Sequence, residues 1–218
     1  MNGLKLKEII CSGETILAPG VYDMISAILA EKANFPAIFV GGYGIAASHL
    51  GIPDVGIMTF TDILERIRMI SNVTTKPIIV DADTGYGGLI NLRHAVKSFQ
   101  KLGVSAIQIE DQVFPKRCGH AKGVEVVTVE EMVKRIGVTV DNRDGSEFLI
   151  IARTDCLTKL GLNEAINRVN IYYKNFEFQI DKEMCLNEIR NIKCINFFYQ
   201  GFKEYIFNTN IFLNLKAF

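Results

Sequence analysis

The sequence predicts an α/β protein with the architecture of a (β/α)8 TIM-type barrel that is incomplete at its C-terminal end. Short apolar runs alternate along the chain with helical periods that carry one apolar face. The runs are almost continuously apolar, as expected of parallel strands covered on both sides of a sheet. Polar side chains follow these runs directly, and repeated βα units of this kind define the α/β class.

Five apolar runs predict the strands in chain order. They occupy residues 15–21, 37–42, 77–83, 106–111 and 148–154. Residues 175–218 have a different character, because they are rich in Phe and Asn and lack clear turn signals. We therefore expect residues 1–174 to form the N-terminal part of a barrel that carries the site. Residues 175–218 would form a divergent tail that either completes the fold in a degenerate way or leaves the barrel short.

Helices are predicted between the strands. Two stretches place apolar residues on one face, namely Ile63, Leu64, Ile67 and Ile70, and then Leu92, Val96, Phe99 and Leu102. Gly103 is expected to end the second of these helices. Thr128 and Glu131 have the spacing of a capping box that opens a further helix. Asn163 is expected to cap the helix that runs to about Tyr173.

The polar residues at the strand ends favour a closed barrel over an open doubly wound sheet. They are Asp81, Asp83, Glu110, Asp111 and Arg153. A barrel collects its active site from the C-terminal ends of several strands. An open sheet usually binds at one switch point instead.

Composition excludes several classes of protein. The chain has 218 residues, 49% of them hydrophobic, and no formal net charge at pH 7, so nothing indicates nucleic acid or a membrane surface as partner. The five cysteines are odd in number and form no Cys-x-x-Cys pair, which disfavours a disulfide framework and a structural zinc site. We expect a soluble cytoplasmic protein, and the balanced charge does not exclude a small acidic substrate, because substrates are recognised by local charge.

Three acidic residues indicate a metal site. Asp81 and Asp83 are two residues apart and should point the same way from their strand, and Glu110 is placed similarly on the next strand. Clustered carboxylates repel one another unless they share a cation, and oxygen ligands suit Mg²⁺ best, with Mn²⁺ as an alternative. The competing interpretation is that these acids cap helices or form ion pairs.

Two further segments suggest chemistry. Cys118 lies among Lys116, Arg117 and His120, and neighbouring cations lower the pKa of a thiol and suit it to proton transfer. A lone cysteine is otherwise more often an inert buried residue. The glycine-rich stretch "GGYG" at residues 41–44 offers backbone N–H groups to an anion, or is simply a tight turn between strand and helix.

Four motifs together resemble the isocitrate lyase and phosphoenolpyruvate mutase superfamily over roughly residues 15–174: "GGYGIAASHLGIPDVG", "VDADTGYGG", "IEDQVFPKRCGH" and "IIARTD". The run Lys-Arg-Cys-Gly-His is similar to the signature of the lyase branch. The resemblance implies a (β/α)8 barrel that binds Mg²⁺. It also implies cleavage of a carbon–carbon bond in a di- or tricarboxylic acid, with release of a 2-oxo acid such as pyruvate.

The resemblance also implies a role for each matching residue. Asp83 would be the most direct metal ligand, and the others would hold the ion through water or from farther out: Asp81, Glu110 and Asp54. Substrate would be bound by Gly41, Gly42, Tyr43, Gly119 and Arg153. Cys118 would protonate the enolate carbon left by cleavage, assisted by Lys116, Arg117 and His120.

The chain departs from the family pattern in two places. Methylisocitrate lyases commonly show Ser-Gly-Gly where this chain has Gly41, Gly42 and Tyr43, and residues 175–218 match no family segment clearly. Three hypotheses follow. The first is a Mg²⁺-dependent lyase, the second a phosphonomutase or oxaloacetate decarboxylase on the same scaffold, and the third a non-catalytic truncated remnant. A homo-oligomer is expected if the fold is complete.

Overall fold

The computed structural model describes residues 2–12, 16–119, 121, 123–145 and 147–176. Five strands occur in these residues: β1 (Gly20–Val21), β2 (Ile38–Val40), β3 (Ile78–Asp81), β4 (Ala106–Glu110) and β5 (Leu149–Arg153). The helices are α1 (Asn2–Cys11), α2 (Met24–Lys32), α3 (Gly42–Leu50), α4 (Phe60–Ser71), α5 (Leu89–Lys101), α6 (Val129–Asp141), α7 (Leu157–Leu160) and α8 (Leu162–Phe176). Each predicted strand is present in a shorter form. The proposed tail lies outside the described residues from position 177 onward.

The five strands form one parallel sheet in the order β1-β2-β3-β4-β5. Neighbours in the sheet are also neighbours in the chain, and the order does not reverse as it does in a doubly wound sheet. This confirms the prediction of a barrel-type α/β fold. In register, the last residue of β4, Glu110, lies beside the last residue of β5, Arg153.

The two faces of the sheet bury different partners. On the outer face, alternate strand residues such as Ile38, Val80 and Ile107 pack against the helices that connect the strands. On the inner face, a smaller apolar cluster contains Phe39 and Ile79, and Leu6 of α1 packs against it. Helix α1 therefore covers the part of the inner face that is remote from the C-terminal ends of the strands. The polar residues lie at those C-terminal ends.

Capping explains where several helices begin and end. In α4, the Thr59 side chain accepts from the backbone N–H of Asp62, and the Asp62 carboxylate accepts from the backbone N–H of Thr59. This reciprocal pair stabilises the first turn of the helix. The second predicted helix ends as expected, since Gly103 follows it with φ +77°.

None of the described helices is both long enough and apolar enough to cross a membrane.

Two of the predicted caps are corrected by the structure. Thr128 does accept from the backbone N–H of Glu131 at 3.2 Å, but the Glu131 carboxylate binds Arg135 at 2.7 Å, so only half of the capping box forms. Helix α8 begins at Leu162, one residue before the expected cap Asn163. Asn163 is therefore a residue of the first turn.

Asp111 lies at a strand end as predicted, but it holds a helix in place and does not join the other acids. Its Oδ2 accepts from Thr154 Oγ1 at 2.6 Å, and from Arg168 and Tyr172 of α8 at 3.0 Å each. The Asp155 backbone N–H donates to its Oδ1 at 2.9 Å. This buried network ties α8 to the ends of β4 and β5.

Candidate active site

Three buried carboxylates meet at the C-terminal ends of β3 and β4. One oxygen from each of Asp81, Asp83 and Glu110 lies within 4.8 Å of the other two. Asp81 is the last residue of β3 and Glu110 the last of β4, and adjacent parallel strands bring their ends together. We call these three residues the carboxylate cluster.

Asp83 reaches the cluster through a turn and not through strand alternation. Its φ is +49°, in the left-handed region that Asp adopts more readily than most residues. The Asp83 backbone N–H donates to Asp81 Oδ1 at 3.3 Å, and the Glu110 N–H donates to the Asp83 carbonyl at 2.9 Å. The predicted convergence of the acids is present, but the backbone after β3 achieves it by bending back toward β4.

Two cations neutralise part of this charge. The Lys116 ammonium lies 2.7 Å from Asp54 Oδ2 and 2.6 Å from Asp83 Oδ1. Arg153 Nη1 lies 3.4 Å from Glu110 Oε2 and farther from the rest of the cluster. Asp54 thus joins the site through Lys116, outside the three residues of the cluster.

Burial and the nearest opposite charge shift the pKa of each ionisable group in the site in opposite directions. Burial raises the pKa of Asp83 to about 7, although the Lys116 ammonium acts against it. Burial also raises the pKa of Glu110 well above its ordinary value, against the charge of Arg153. For Lys116 and Arg153, burial alone would lower the pKa, but the neighbouring carboxylates outweigh it and raise the pKa. Both cations therefore stay charged while the acids resist full ionisation.

The chemistry of the cluster suits a divalent cation. Its members together with Asp54 are four carboxylates, which outnumber the cations Lys116 and Arg153. Glu110 Oε1 is buried and has no hydrogen-bond partner among the described residues. An oxygen left without a partner in a buried acidic cluster fits a ligand for a hard cation such as Mg²⁺. The described residues therefore fit the metal that the sequence predicts.

The cysteine lies on a loop that folds over the cluster. We call residues 112–126 the thiol loop, because a bridge between Gln112 and Val126 closes it. The Cys118 backbone N–H donates to the Asp54 carbonyl at 3.0 Å, and Cys118 itself is half-buried. Arg117 is exposed. His120 lies outside the described residues.

The glycines of the predicted substrate site lie beside the same cluster. Gly41 precedes α3, which begins at Gly42. A β-carbon at Gly42 would stand 3.5 Å from both Asp83 Oδ1 and Lys116 Nζ, so the backbone passes close to the acids. Tyr43 is half exposed in the first turn of α3, where helix N–H groups have no helical partner and can bind an anion.

Two residues of the site were missed in the sequence. Asp155 Oδ1 accepts from Arg153 Nε at 2.8 Å, and Asp155 Oδ2 accepts from Gln112 Nε2 at 2.6 Å. A side chain at Gly119 would collide with the Arg153 guanidinium and crowd Asp155, so the thiol loop lies directly against this pair. The signal for Asp155 was available, because it follows Arg153 by two residues at the end of β5.

Comparison with known proteins places this site in a family context. The profile of the family described as phosphoenolpyruvate phosphomutase matches residues 6–175. The chain is 43% identical to 2,3-dimethylmalate lyase of Eubacterium barkeri over 164 residues, covering 75% of this chain and 57% of that protein. It is 38% identical to 2-methylisocitrate lyase of Shewanella oneidensis over 170 residues, covering 78% of this chain and 58% of that protein.

A solved structure agrees with these matches. Oxaloacetate acetylhydrolase in complex with 3,3-difluorooxalacetate superimposes with a TM-score of 0.77 at 38% identity, covering 80% of this chain and 61% of that chain. This chain thus spans less than two thirds of the length of each of these proteins. The cluster, the thiol loop and β5 all lie within the matched residues 6–175.

Proposed function

We propose that this chain, which belongs to the isocitrate lyase and phosphoenolpyruvate mutase superfamily, acts as a Mg²⁺-dependent carbon–carbon lyase. Its substrate would be a small 2-hydroxy di- or tricarboxylic acid of the methylisocitrate or dimethylmalate type, cleaved to a 2-oxo acid such as pyruvate. One observation carries the proposal: Lys116, two residues before Cys118, lies 2.6 Å from Asp83 of the carboxylate cluster. The loop that carries Cys118 therefore contacts the acid cluster.

The cluster is proposed to hold the metal. Asp83 would be the direct ligand, while Asp81, Glu110 and Asp54 would hold the ion through water or from farther out. A bound Mg²⁺ would supply positive charge to the substrate oxygens on which negative charge develops during cleavage. Mn²⁺ offers similar ligand preferences and is the alternative ion.

Substrate carboxylates are proposed to bind on both sides of the cluster. Arg153 would hold one carboxylate through its forked guanidinium, against which the Gly119 backbone packs closely. At the other side, the backbone at Gly41, Gly42 and Tyr43 would receive a second carboxylate at the start of α3. Two anion sites separated by a metal site suit a dicarboxylic acid.

Cys118 is proposed to donate the proton that completes the reaction. Cleavage breaks the bond between the hydroxyl-bearing carbon and its neighbour, and the hydroxyl proton passes to a basic group or a water molecule of the site as the keto oxygen forms. The electron pair stays on the other fragment, whose carbanionic carbon takes the proton from the thiol. Lys116, Arg117 and His120 would set the protonation of Cys118 and keep the thiol loop over the substrate.

Two other hypotheses remain as outcomes of the test. A phosphonomutase or an oxaloacetate decarboxylase could use the same metal site. A non-catalytic remnant is favoured by one observation, namely that the outer edges of β1 and β5 pair with no other strand of the described residues. Unpaired edges invite association with another chain.

The test measures pyruvate release by the full chain with Mg²⁺, and also phosphoenolpyruvate formation from phosphonopyruvate, because a phosphonomutase releases no pyruvate. The substrates are 2,3-dimethylmalate, 2-methylisocitrate, oxaloacetate and phosphonopyruvate. We expect release from one of the first two, reduced by about 10²–10⁴ in Cys118→Ser, as for loss of a general acid. Turnover of oxaloacetate or phosphonopyruvate alone would favour the second hypothesis. A folded chain that turns over none of the four substrates would favour the remnant.

A further inference from the structure

Gln112 makes an unusual set of contacts at the base of the thiol loop. Its side-chain Oε1 accepts from the Arg117 backbone N–H at 2.9 Å, and its Nε2 donates to the Arg117 carbonyl at 2.9 Å. The amide thus binds both backbone groups of one residue, as a neighbouring strand would. Because Arg117 directly precedes Cys118, these bonds fix the backbone that carries the thiol.

The second hydrogen of the same amide group binds a carboxylate. Gln112 Nε2 donates to Asp155 Oδ2 at 2.6 Å, so both N–H groups and the carbonyl oxygen of the side chain are used. Gln112 is 1% exposed. A buried amide with all these bonds made holds one orientation, because turning it over would place donors against donors.

Asp155 extends this connection to the carboxylate cluster. Its other oxygen accepts from Arg153 Nε at 2.8 Å, and Arg153 Nη1 lies 3.4 Å from Glu110. One continuous row of polar contacts therefore runs from the Arg117 backbone through Gln112, Asp155 and Arg153 to Glu110. The row connects the thiol to the proposed substrate clamp and the proposed metal site.

We propose that Gln112 is a positioning residue that sets the Cys118 thiol relative to Arg153 and the carboxylate cluster. The inference rests on the lyase proposed above, because it assigns Gln112 to the placement of that reaction's proton donor. Gln112 itself touches no reacting atom. It acts through the backbone of Arg117 and through Asp155.

Gln112→Leu tests the proposal, with Gln108→Leu as the matched control. Gln108 lies on the same strand as Glu110 and is fully buried, but its amide atoms have no hydrogen-bond partner among the described residues. The rate at which iodoacetamide alkylates each cysteine is followed by mass spectrometry on the full chain. Buried Cys156 reports global unfolding.

In Gln112→Leu, alkylation of Cys118 is expected to become at least about tenfold faster, the effect of losing two hydrogen bonds of ordinary net strength. Cys156 should stay protected, and both cysteines should react at the wild-type rate in Gln108→Leu. In the dimethylmalate assay, Gln112→Leu should lower kcat about tenfold or more and leave KM within a few-fold, because the proton donor is displaced and the substrate contacts remain.

Unchanged Cys118 alkylation in a folded Gln112→Leu protein would overturn the proposal. If that variant does not fold, hydrogen exchange in the wild-type chain decides, since the Arg117 amide must be protected at least about tenfold more than those of exposed loop residues. An exchange rate equal to that of exposed loops would also overturn it. A wild-type chain without turnover would contradict the lyase, and the alkylation rates would still decide whether Gln112 positions the thiol.

Discussion

Glu110 and Asp111 are consecutive buried acids with opposite environments. Asp111 points toward α8, and its two oxygens accept from Asp155, Thr154, Arg168 and Tyr172. Glu110 points toward the inner side of the sheet, where Oε2 lies 3.4 Å from Arg153 and Oε1 has no partner among the described residues. Asp111, whose two oxygens both accept hydrogen bonds, connects two parts of the fold. Glu110, which has one oxygen without a partner among the described residues, can bind a ligand.

The largest effect should come from removing the charge of Asp111, the acid that connects α8 to the sheet. Asp111→Asn removes the charge that pairs with buried Arg168, and loss of one partner of a buried ion pair costs about 3–5 kcal/mol. We expect the free energy of unfolding to fall by that amount in urea titrations. Glu110→Gln, the same change one residue earlier, should alter it by less than about 1 kcal/mol, because Arg153 keeps Asp155 as a closer ion-pair partner. Equal losses in the two variants would mean that both acids serve stability.

The next largest effect concerns the metal. Asp83→Ala removes the proposed direct ligand and should weaken Mg²⁺ binding by more than about 100-fold. Loss of a residue that supports a ligand without touching the ion usually weakens binding by about 10–100-fold. Isothermal titration calorimetry measures the affinity, and Glu65→Ala, which removes an exposed carboxylate that pairs with Arg68 on α4, is the control. An unchanged affinity in Asp83→Ala would contradict the metal assignment.

Glu110→Gln should have a smaller effect on the same affinity. If Glu110 holds the ion through water, the variant should weaken Mg²⁺ binding by roughly tenfold, the lower part of the range for outer partners. Asp111→Asn, measured at a temperature where it is folded, should bind Mg²⁺ as the wild type does. A loss of affinity in Asp111→Asn would show that the two acids act as one unit.

The smallest effect should come from the cation inside the cluster. Lys116 lies against Asp83, so Lys116→Met removes a positive charge that repels an incoming divalent ion. Repulsion of about 1 kcal/mol in water-like surroundings makes Mg²⁺ binding about fivefold tighter in the variant. Calorimetry at low salt measures the change, with the exposed Lys159→Met as the control. Weaker binding in Lys116→Met would mean that the ammonium supports the metal site.

Much of the fold could be predicted from the sequence because its signals are local. The apolar runs predicted all five described strands, and the apolar faces predicted α4 and α5. One error lies where two nearby partners compete for the same side chain. Glu131 matches a capping box, yet its carboxylate binds Arg135. Helix α1 was not predicted, since its residues pack on the inner face of strands far along the chain.

The candidate site also contains some residues that the sequence predicted and others whose roles only the structure revealed. Residue types and spacing predicted Asp81, Asp83 and Glu110 as metal ligands and Cys118 among its cations as a reactive group, because clustered acids and a cysteine among cations are uncommon in a short motif. Asp54 was predicted only from the family resemblance. Asp155 could have been selected by its spacing from Arg153, but its bond to Gln112 could not, because the two residues are 43 positions apart. The role of Gln112 depends on that contact, and a glutamine after a strand has many other uses.

The sequence by itself determined the fold class, the order of the strands and the acids at their ends, since alternation, periodicity and spacing act within a few residues. Only the tertiary structure decided which acid faces which side. Glu110 and Asp111 are adjacent in the chain and both carry a carboxylate. Their environments differ because successive side chains of a strand point to opposite faces of the sheet. One face carries α8 with its donors, and the other carries the cluster and the loop with the thiol.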